Sequence, residues 1–305
     1  MKDLCAKKFA LIGAGMAGVA AARELTARGA KVVLFEKSRG FGGRCASKRW
    51  LGHVVDHGAQ YFTLRDAGFR ALVESECGGA LIRLESPVLD ENGGALPDDG
   101  RWFHREGNSR LARELARGLD VRTEQTVVDA RTLLNDFDHV LSTAPWPQTA
   151  RLFGLDDAQE YIPCVAVLLA YEGEWLGGSR EAYAWSAPRM PLAWSACENH
   201  KPGRVAAGST VLVAHMSEAF SREHLERPPQ EYPALVRAWV EERWDIPSAA
   251  FTAALGHRWR LARPRADFTL PALPERLHFV GDATRRARVE DAWLAGLEFA
   301  RGTEF

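Results

Sequence analysis

The stretch at residues 8–36, KFALIGAGMAGVAAARELTARGAKVVLFE, decides the fold of this chain. It begins with an apolar run at 9–12 that predicts a buried strand, and the glycine-rich GAGMAG at 13–18 follows directly. Residues 17–28 are rich in Ala, Leu and Glu and predict a helix, which leads into a second apolar strand at 31–35. This order of strand, turn, helix and strand is the setting in which GxGxxG indicates a dinucleotide-binding unit.

Three glycines and one acid specify what such a unit binds. Gly13 permits a tight turn out of the strand, Gly15 lets a pyrophosphate approach the backbone, and Gly18 lets helix and strand pack closely. The free N–H groups at the helix start then face the phosphates. Glu36 follows Gly15 by about 20 residues, the spacing at which a carboxylate accepts hydrogen bonds from an adenosine ribose. Because a 2′-phosphate would meet a like charge there, the sequence predicts NAD or FAD rather than NADP.

The composition is that of a soluble enzyme without a strong electrostatic field. The 305 residues suffice for two domains, and the formal net charge of −1 gives no general attraction to nucleic acid or to an anionic membrane. Five scattered cysteines without a CxxC pair favour a reducing compartment and argue against a metal site. The basic, then apolar, start resembles a signal peptide. The glycine spacing favours the nucleotide unit instead, so we expect a cytoplasmic protein without a membrane span.

Two further segments are suited to hold phosphates and sugars. Lys37 follows Glu36 and leads into GFGGR at 40–44, where Arg44 can form a charge-assisted bond to a phosphate. Near the end of the chain, a predicted strand runs into the turn of Gly281 and Asp282 and then into a helix. We expect this turn to close a nucleotide site from the far side, with a hydrogen bond from a sugar to the carboxylate.

The segment DHGAQYFT at 56–63 is a candidate contact for a planar ring. Gly58 and Ala59 are small enough to let a flat ring approach, and the amide of Gln60 offers both a donor and an acceptor. The alternative interpretation of this segment is a turn before a core strand.

The remaining pattern divides the chain between two domains. Residues 77–103 and 153–270 contain apolar runs at hairpin spacing and covering helices, which predicts a smaller substrate domain with a mostly antiparallel sheet. Residues 1–76, 104–152 and 271–305 are expected to form the Rossmann-type α/β domain.

Several local features belong to this prediction. Asn108 is expected to cap a helix, and residues 126–128 are expected to pair as a strand with 121–122. Most tryptophans lie in the substrate domain, where such side chains are usually core. We expect one or two of them to face a planar ligand, and Trp185 and Trp259 are the candidates.

Together these segments resemble the FAD-binding signature of the flavin amine oxidase superfamily, and in particular its renalase-like branch. The resemblance covers nearly the whole chain in order and rests on GAGMAG with Glu36, GFGGR, DHGAQYFT, CENHKPGR at 197–204, the stretch 215–225, HRWRLARP at 257–264 and GDATRRARVEDAWLAG at 281–296. It implies non-covalent FAD, a two-domain fold of the hydroxybenzoate-hydroxylase type, and a flavin that lies between the domains.

The resemblance also implies roles for individual residues. The pyrophosphate would be held by Gly13, Gly15, Met16, Ala17 and Gly18, the ribose by Glu36, the phosphates by Arg44 with Lys37 beside it, the flavin ring by Gly58, Ala59 and Gln60, the adenine end by Val127, and the ribityl end by Gly281 and Asp282. Val289 and Glu290 open the last helix, which would point at the flavin N1 and O2 atoms.

The chain departs from the family pattern after the Gly-Asp-Ala turn. Arg285, Arg286 and Arg288 stand where small residues are usual, and Asp291 replaces a glycine. One interpretation is a solvated loop at a helix start. The other is that Arg285 or Arg286 binds a phosphate of the substrate.

The resemblance implies an FAD-dependent oxidase that takes a hydride from dihydro isomers of NAD(P)H at flavin N5 and returns electrons to oxygen, which gives peroxide. Positioning and charge stabilisation suffice for this chemistry, so we name no catalytic acid or base and expect His57, His200, His215 and His257 to be structural. A flavin-dependent amine oxidase is the alternative in the same superfamily. A redox sensor that binds FAD without turnover is an alternative of another class, whereas the GFGGR loop argues against an NAD-dependent dehydrogenase.

Overall fold

The computed structural model describes residues 4–156, 159–175, 181–265 and 268–303. None of the helices within these ranges has the length and apolar character that a membrane crossing requires. These helices are α1 (Met16–Ala27), α2 (Ala67–Cys77), α3 (Ser109–Leu115), α4 (Trp146–Phe153), α5 (Glu218–His224), α6 (Tyr232–Trp244) and α7 (Val289–Gly302).

The same ranges contain fifteen strands. They are β1 (Lys8–Ile12), β2 (Lys31–Phe35), β3 (Ser47–Trp50), β4 (His53–Asp56), β5 (Leu81–Arg83), β6 (Val88–Asp90), β7 (Trp102–His104), β8 (Asp120–Arg122), β9 (His139–Ser142), β10 (Tyr161–Glu172), β11 (Ala184–Ser186), β12 (Leu192–Cys197), β13 (Ser209–Met216), β14 (Phe251–Pro264) and β15 (Leu277–Phe279).

The first sheet is parallel and has the strand order β15-β9-β1-β2-β8. Its central strand β1 is apolar and buried from Phe9 to Ile12, as a strand covered on both faces must be. Helix α1 connects β1 to β2, and β9 and β15 bring distant parts of the chain back to this sheet. The prediction of a Rossmann-type parallel sheet is confirmed.

The second sheet is mostly antiparallel and has the order β14-β10-β13-β12-β11-β6, with only β11 and β6 parallel. Helices α5 and α6 cover one face, where alternate apolar residues of β10 and β13 pack against Val236, Val240 and Trp244. On the opposite face, Leu168, Ala170, Val211 and Val213 pack against Val55 of β4. A mixed α/β fold with a separate antiparallel sheet is thus confirmed, and the domain boundaries given above remain a prediction.

Helix α7 closes the first sheet by packing directly on α1. A Cβ atom added at Gly296 would lie 2.1 Å from the carbonyl oxygen of Ala17, so the two helices touch at backbone distance. Only glycine permits this approach. The contact fixes the start of α7 relative to the glycine-rich turn that precedes α1.

Two local predictions were wrong. Residues 126–128 form no strand, and β8 pairs in parallel with β2 instead. Asn108 does not cap α3 with its side chain, because its amide bonds elsewhere: its Oδ1 accepts from the His104 N–H at 3.1 Å and its Nδ2 donates to the Ala59 carbonyl at 3.0 Å.

Candidate active site

A cleft of about 2090 Å³ lies between the two sheets. It begins at the carboxyl ends of β1 and β2, the usual ligand site of such a sheet, and extends to the face of the second sheet formed by β10, β13 and β14. Most residues predicted to contact a cofactor line it, namely Gly13, Gly15, Met16, Ala17, Glu36, Lys37, Arg44, Gly58, Ala59, Gln60, Val127, Gly281, Asp282 and Val289.

The glycine-rich turn is shaped to receive an anion. Gly13 has a φ of 105°, which a side chain rarely tolerates, and its N–H donates to the Phe35 carbonyl at 2.8 Å. A Cβ atom at Gly15 would meet nothing within 4 Å, so this glycine faces open space. No side chain caps α1, so the N–H groups of its first turn and its dipole face the cleft.

Gly18 has a different role from the other two glycines. It does not line the cleft. A Cβ atom there would lie 2.0 Å from the Gly13 carbonyl oxygen, so Gly18 permits the close packing of helix and turn rather than ligand approach.

Glu36 links the end of β2 to the glycine-rich turn. Its Oε2 accepts the Ala14 N–H at 2.8 Å, and its Oε1 accepts the N–H and hydroxyl of Ser38 at 2.8 and 2.6 Å. A carboxylate has about four acceptor positions. One acceptor position therefore remains for a ligand, while the other three hold the backbone of Ala14 and the backbone and hydroxyl of Ser38.

Arg44 and Asp282, predicted as separate ligand contacts, form an ion pair at the cleft. The guanidinium donates to both carboxylate oxygens at 2.7 and 2.8 Å and to the Ala262 carbonyl at 3.2 Å. A guanidinium has five N–H donors. Arg44 thus keeps two donors for a phosphate, and the pair ties the loop after β2 to the turn after β15.

The loop at residues 57–60 forms one side of the cleft. A Cβ atom at Gly58 would lie 2.1 Å from the Arg44 carbonyl oxygen, so close backbone packing already demands a glycine there. The amide of Gln60 is turned into the protein: its Nε2 donates to the Asp56 carbonyl and its Oε1 faces the Tyr183 hydroxyl at 3.4 Å. The predicted use of this amide at a ring edge is therefore not supported.

Four fully buried charged side chains lie beneath this loop, and we call Asp56, Glu198, Lys201 and Arg204 the buried charge network. Lys201 Nζ lies 2.9 Å from Asp56 Oδ2 and 2.6 Å from Glu198 Oε1, and Arg204 lies 2.8 Å from Asp56 and 3.5 Å from Glu198. Ser47 Oγ and the Asn108 N–H donate to Asp56 Oδ1 at 2.5 and 3.0 Å. The network ties β4 to the segment after β12 and so holds the loop at 57–60 between the two sheets.

Burial and neighbouring charges act differently on the two acids of this network. Burial opposes ionisation of Asp56, but Lys201 and Arg204 outweigh it and hold the pKa of Asp56 below its usual value. Burial raises the pKa of Glu198, against the opposing effect of Lys201. Each acid therefore depends on the cations, and Glu198 is the more weakly compensated of the two.

The far side of the cleft is a surface that we call the imidazole wall, made of His57, His215, His257 and Trp259. In the strand register, Ala166 of β10 stands between His215 of β13 and His257 of β14. His57 lies against these strands: its ring stacks on Trp259 at 5.4 Å and meets His257 edge-on at 4.7 Å.

The wall is held by hydrogen bonds to one carbonyl and is electrically neutral. His215 Nε2 and Trp259 Nε1 both donate to the His57 carbonyl, at 3.1 and 2.9 Å. Burial, and then the neighbouring His257, lower the pKa of His57 to about 3; burial lowers the pKa of His215 to about 4. Burial, with Lys48 nearby, lowers the pKa of His257 as well. At neutral pH the wall offers uncharged rings.

Trp259 and the three histidines line the cleft, but Trp185 does not. Successive side chains of a strand point to opposite faces. Ser186 lines the cleft, and its neighbour Trp185 lies on the other face, where its ring is 4.8 Å from the Arg243 guanidinium. Trp185 is thus not a ligand contact.

Two residues near the start of α7 also have contacts that differ from their predicted roles. Glu290 is buried away from the cleft, where its carboxylate accepts from the Thr63 hydroxyl at 2.6 Å and from the N–H groups of Arg65 and Asp66. Arg285 pairs with Glu298 and lies 3.9 Å from Asp291. Arg285 and Arg286 do not line the cleft, whereas Arg288 does, which favours the solvated-loop interpretation for the first two.

Comparisons with known proteins agree with this architecture. The family model of NAD(P)-binding Rossmann-like domains matches residues 11–74. A 91-residue segment is 47% identical to the lysine-specific histone demethylase 1B homolog of Caenorhabditis elegans; it covers 28% of this chain and only 11% of that protein.

Solved structures resemble the chain over nearly its whole length. A protein assigned as a protoporphyrinogen oxidase in Exiguobacterium sp. 255-15 superposes with a TM-score of 0.78 at 13% identity, over 97% of this chain and 98% of that one. Wild-type putrescine oxidase bound to putrescine superposes with a TM-score of 0.65 at 13% identity, over 97% and 98%. At such low identity the likeness establishes the two-sheet fold.

Proposed function

We propose that this chain is an FAD-dependent oxidoreductase that oxidises a small reduced molecule. The observation that carries the proposal is the continuity of the cleft, one space of about 2090 Å³ lined by both the glycine-rich turn and the imidazole wall. A drug-sized ligand fills a pocket of about 300–1,000 Å³. The cleft is therefore large enough for a dinucleotide with a second molecule beside it, the arrangement that flavin chemistry requires.

The residues at the dinucleotide end fit FAD. Gly15 opens onto the cleft, and α1 has no side-chain cap that would compete with a pyrophosphate. Glu36 keeps one acceptor position for a ribose hydroxyl, and Arg44 keeps two donors for a phosphate. We therefore assign the pyrophosphate to residues 13–17, the ribose to Glu36, and the far end of the cofactor to Gly281 and Asp282.

Bound FAD would supply a hydride acceptor at its N5 atom and would return the electrons to oxygen as peroxide. The chain would contribute position and electrostatics. Helix α7 begins at Val289, which lines the cleft, and no side chain caps this end. Its N–H groups and dipole would stabilise negative charge beside it. The loop at 57–60 and the imidazole wall would confine the substrate and exclude water.

The preferred substrate is a dihydro isomer of NAD(P)H. A dihydropyridine gives up a hydride without a base, and the wall consists of neutral imidazoles and an indole. Amine oxidation is the second candidate, because a putrescine oxidase shares the fold.

The test begins with the visible spectrum of the purified protein, with and without added FAD. We expect flavin bands that bleach under anaerobic conditions on addition of a mixture of NADH isomers but not with pure NADH. Bleaching by primary or secondary amines would favour the second candidate. Flavin that no donor bleaches would indicate a redox sensor, and the absence of flavin binding would overturn the proposal.

A pair of variants tests the ribose assignment. Glu36→Gln removes the charge that receives the ribose, and we expect it to weaken FAD binding about tenfold, the loss of one charged hydrogen bond. Asp120→Asn on the neighbouring β8 is the control, since Asp120 is exposed and does not line the cleft. Equal affinity of both variants for FAD would contradict the assignment.

A further inference from the structure

The cleft is far more basic than the rest of the molecule. Its lining includes nine lysines and arginines but only three acids, Glu36, Glu218 and Asp282, whereas the whole chain has a net charge of −1. Basic residues in a cleft with low-dielectric walls concentrate positive potential there.

Most of this charge is not neutralised by the protein. Arg44, Arg258 and Arg260 have carboxylate partners. In the part of the chain that the structure describes, no ion pair is formed by the other six, which are Lys37, Arg39, Lys48, Arg151, Arg263 and Arg288.

The three acids of the lining are already engaged. Glu36 holds Ala14 and Ser38, Asp282 holds Arg44, and Glu218 pairs with Arg222 at 2.9 Å and with Arg265 at 2.7 Å. The cleft therefore carries an excess of positive charge, which favours the binding of anionic ligands.

Two of the unpaired cations lie on strands near the imidazole wall, Lys48 on β3 and Arg263 on β14. Lys48 lies on β3 and is close enough to His57 and His257 to act on both rings electrostatically. Arg263 lies on β14 and acts in the same way on Cys164, the cleft residue of β10 that pairs with Trp259. Lys48 therefore lies near the wall, and Arg263 lies near the cleft residue whose strand partner is Trp259.

We propose that Lys48 and Arg263 bind the anionic group of the second ligand, whose planar part lies against the imidazole wall. The ligand class is then an aromatic or heteroaromatic compound with a carboxylate or a phosphate, and not a polyamine. This inference rests on the proposed function and deepens it. A protonated amine would meet unpaired cations and neutral rings, with no free carboxylate among the acids that line the described part of the cleft.

The chemistry of the two side chains supports a shared anion. Lysine supplies a point charge with three donors, and arginine supplies a planar fork that fits carboxylates and phosphates. An anion held between them leaves the attached ring at the wall, where Trp259 and His57 already stack at 5.4 Å. The neutral rings would contact the planar part of the ligand, and the two cations would favour a ligand with a negatively charged group.

The test measures binding by calorimetry on the FAD-loaded protein with three probes. Nicotinate carries a carboxylate, nicotinamide mononucleotide carries a phosphate, and nicotinamide is the neutral counterpart. We expect at least one anionic probe to bind about tenfold more tightly than nicotinamide, since charged hydrogen bonds are worth about this factor. Comparable affinity for all three probes, or tighter binding of putrescine, would overturn the inference; the tighter anionic probe identifies the anion.

Variants of Lys48 and Arg263 test whether these two side chains bind the anionic group of the probe. Lys48→Met and Arg263→Met should each weaken the anionic probe about tenfold and leave nicotinamide unchanged. Lys48→Arg keeps the charge and should retain most of the affinity. Lys31→Met removes an exposed lysine on β2 outside the cleft and is the matched control. An equal loss for charged and neutral probes would refute the assignment of the anion to these two residues.

The failure of this inference is distinguishable from failure of the proposed function. A protein that never binds FAD refutes the function by its spectrum alone. A protein that binds FAD and oxidises a donor, yet does not discriminate charged from neutral probes, keeps the function and loses the inference.

Discussion

Replacing Lys201 with methionine removes one cation from the buried charge network and leaves two carboxylates facing Arg204 alone. All four side chains of the network are fully buried, and Lys201 lies within 3 Å of both acids. Breaking a buried ion pair by removing one partner costs about 3–5 kcal/mol. We expect Lys201→Met to lower the free energy of unfolding by this amount, measured by urea denaturation monitored by circular dichroism.

The control replaces a cation of an exposed pair. Arg227 lies 3.3 Å from Glu231 on the surface, in i,i+4 spacing. Such pairs contribute about 0.3–0.5 kcal/mol, so Arg227→Met should be nearly silent.

The pH dependence separates the charge effect from a packing defect. Burial raises the pKa of Glu198, and without Lys201 that pKa rises further. The folded variant then binds a proton that the unfolded chain has released, so its stability falls as the pH rises above the unfolded value of about 4.3. We expect a larger deficit at pH 8 than at pH 5, and a smaller deficit when Glu198→Gln is added.

A loss below about 1 kcal/mol, or one that is equal at pH 5 and pH 8, would refute this reasoning. The first result would mean that the network relaxes or admits water. The second would mean that the lost packing of the lysine stem explains the whole effect.

Three further predictions follow from the contacts described above. Gly296→Ala should destabilise the protein by about 1–3 kcal/mol in thermal unfolding, because its Cβ would lie 2.1 Å from a carbonyl of α1, whereas Gly302→Ala, with nothing within 4 Å, should not. Glu290→Gln should lower the free energy of unfolding by about 1–3 kcal/mol, because one acceptor for the N–H groups at the start of α2 is lost. The affinity for FAD in an equilibrium titration should not change. Weaker FAD binding would contradict the placement of Glu290 outside the cleft. Because the pKa of His57 is lowered to about 3 and that of His215 to about 4, the unfolded chain takes up protons below about pH 6.5 that the folded chain does not. Stability should therefore fall from pH 6.5 to pH 4, and His57→Phe should reduce that slope in urea denaturation.

Local sequence signals sufficed for the first unit of the fold. The strand at β1, the turn and helix α1 follow from neighbouring residues, and the spacing of Glu36 from Gly15 reflects the fixed geometry of that unit. The prediction of the second sheet from apolar runs also holds, since its long strands are recognisable from their own apolar composition.

The imidazole wall could not be predicted in this way. His215 and His257 lie 42 residues apart and become neighbours only through the register of β10 with β13 and β14. A single-residue slip would turn either ring to the opposite face. Trp185 failed as a prediction for the same reason, because composition identifies a strand residue but not the face it occupies.

The buried charge network shows a second limit. The segment at 197–204 carries part of the family resemblance, yet nothing local distinguishes Lys201 and Arg204 from surface residues. Their burial depends on Asp56, which is distant in sequence. Gln60 illustrates the same point, because the acceptor that captures its amide is the carbonyl of Asp56 and not a ligand.

The backbone contact between α1 and α7 has a consequence for biosynthesis. The proposed dinucleotide site begins at Gly13, but the helix that fixes α1 from behind is formed by residues 289–302. During translation, the apolar surface of α1 stays uncovered until residues 289–302 emerge, and parallel sheets with such distant partners fold slowly. We expect nascent chains that lack α7 to engage chaperones, and the proposed site to acquire affinity for a nucleotide only after α7 has left the ribosome.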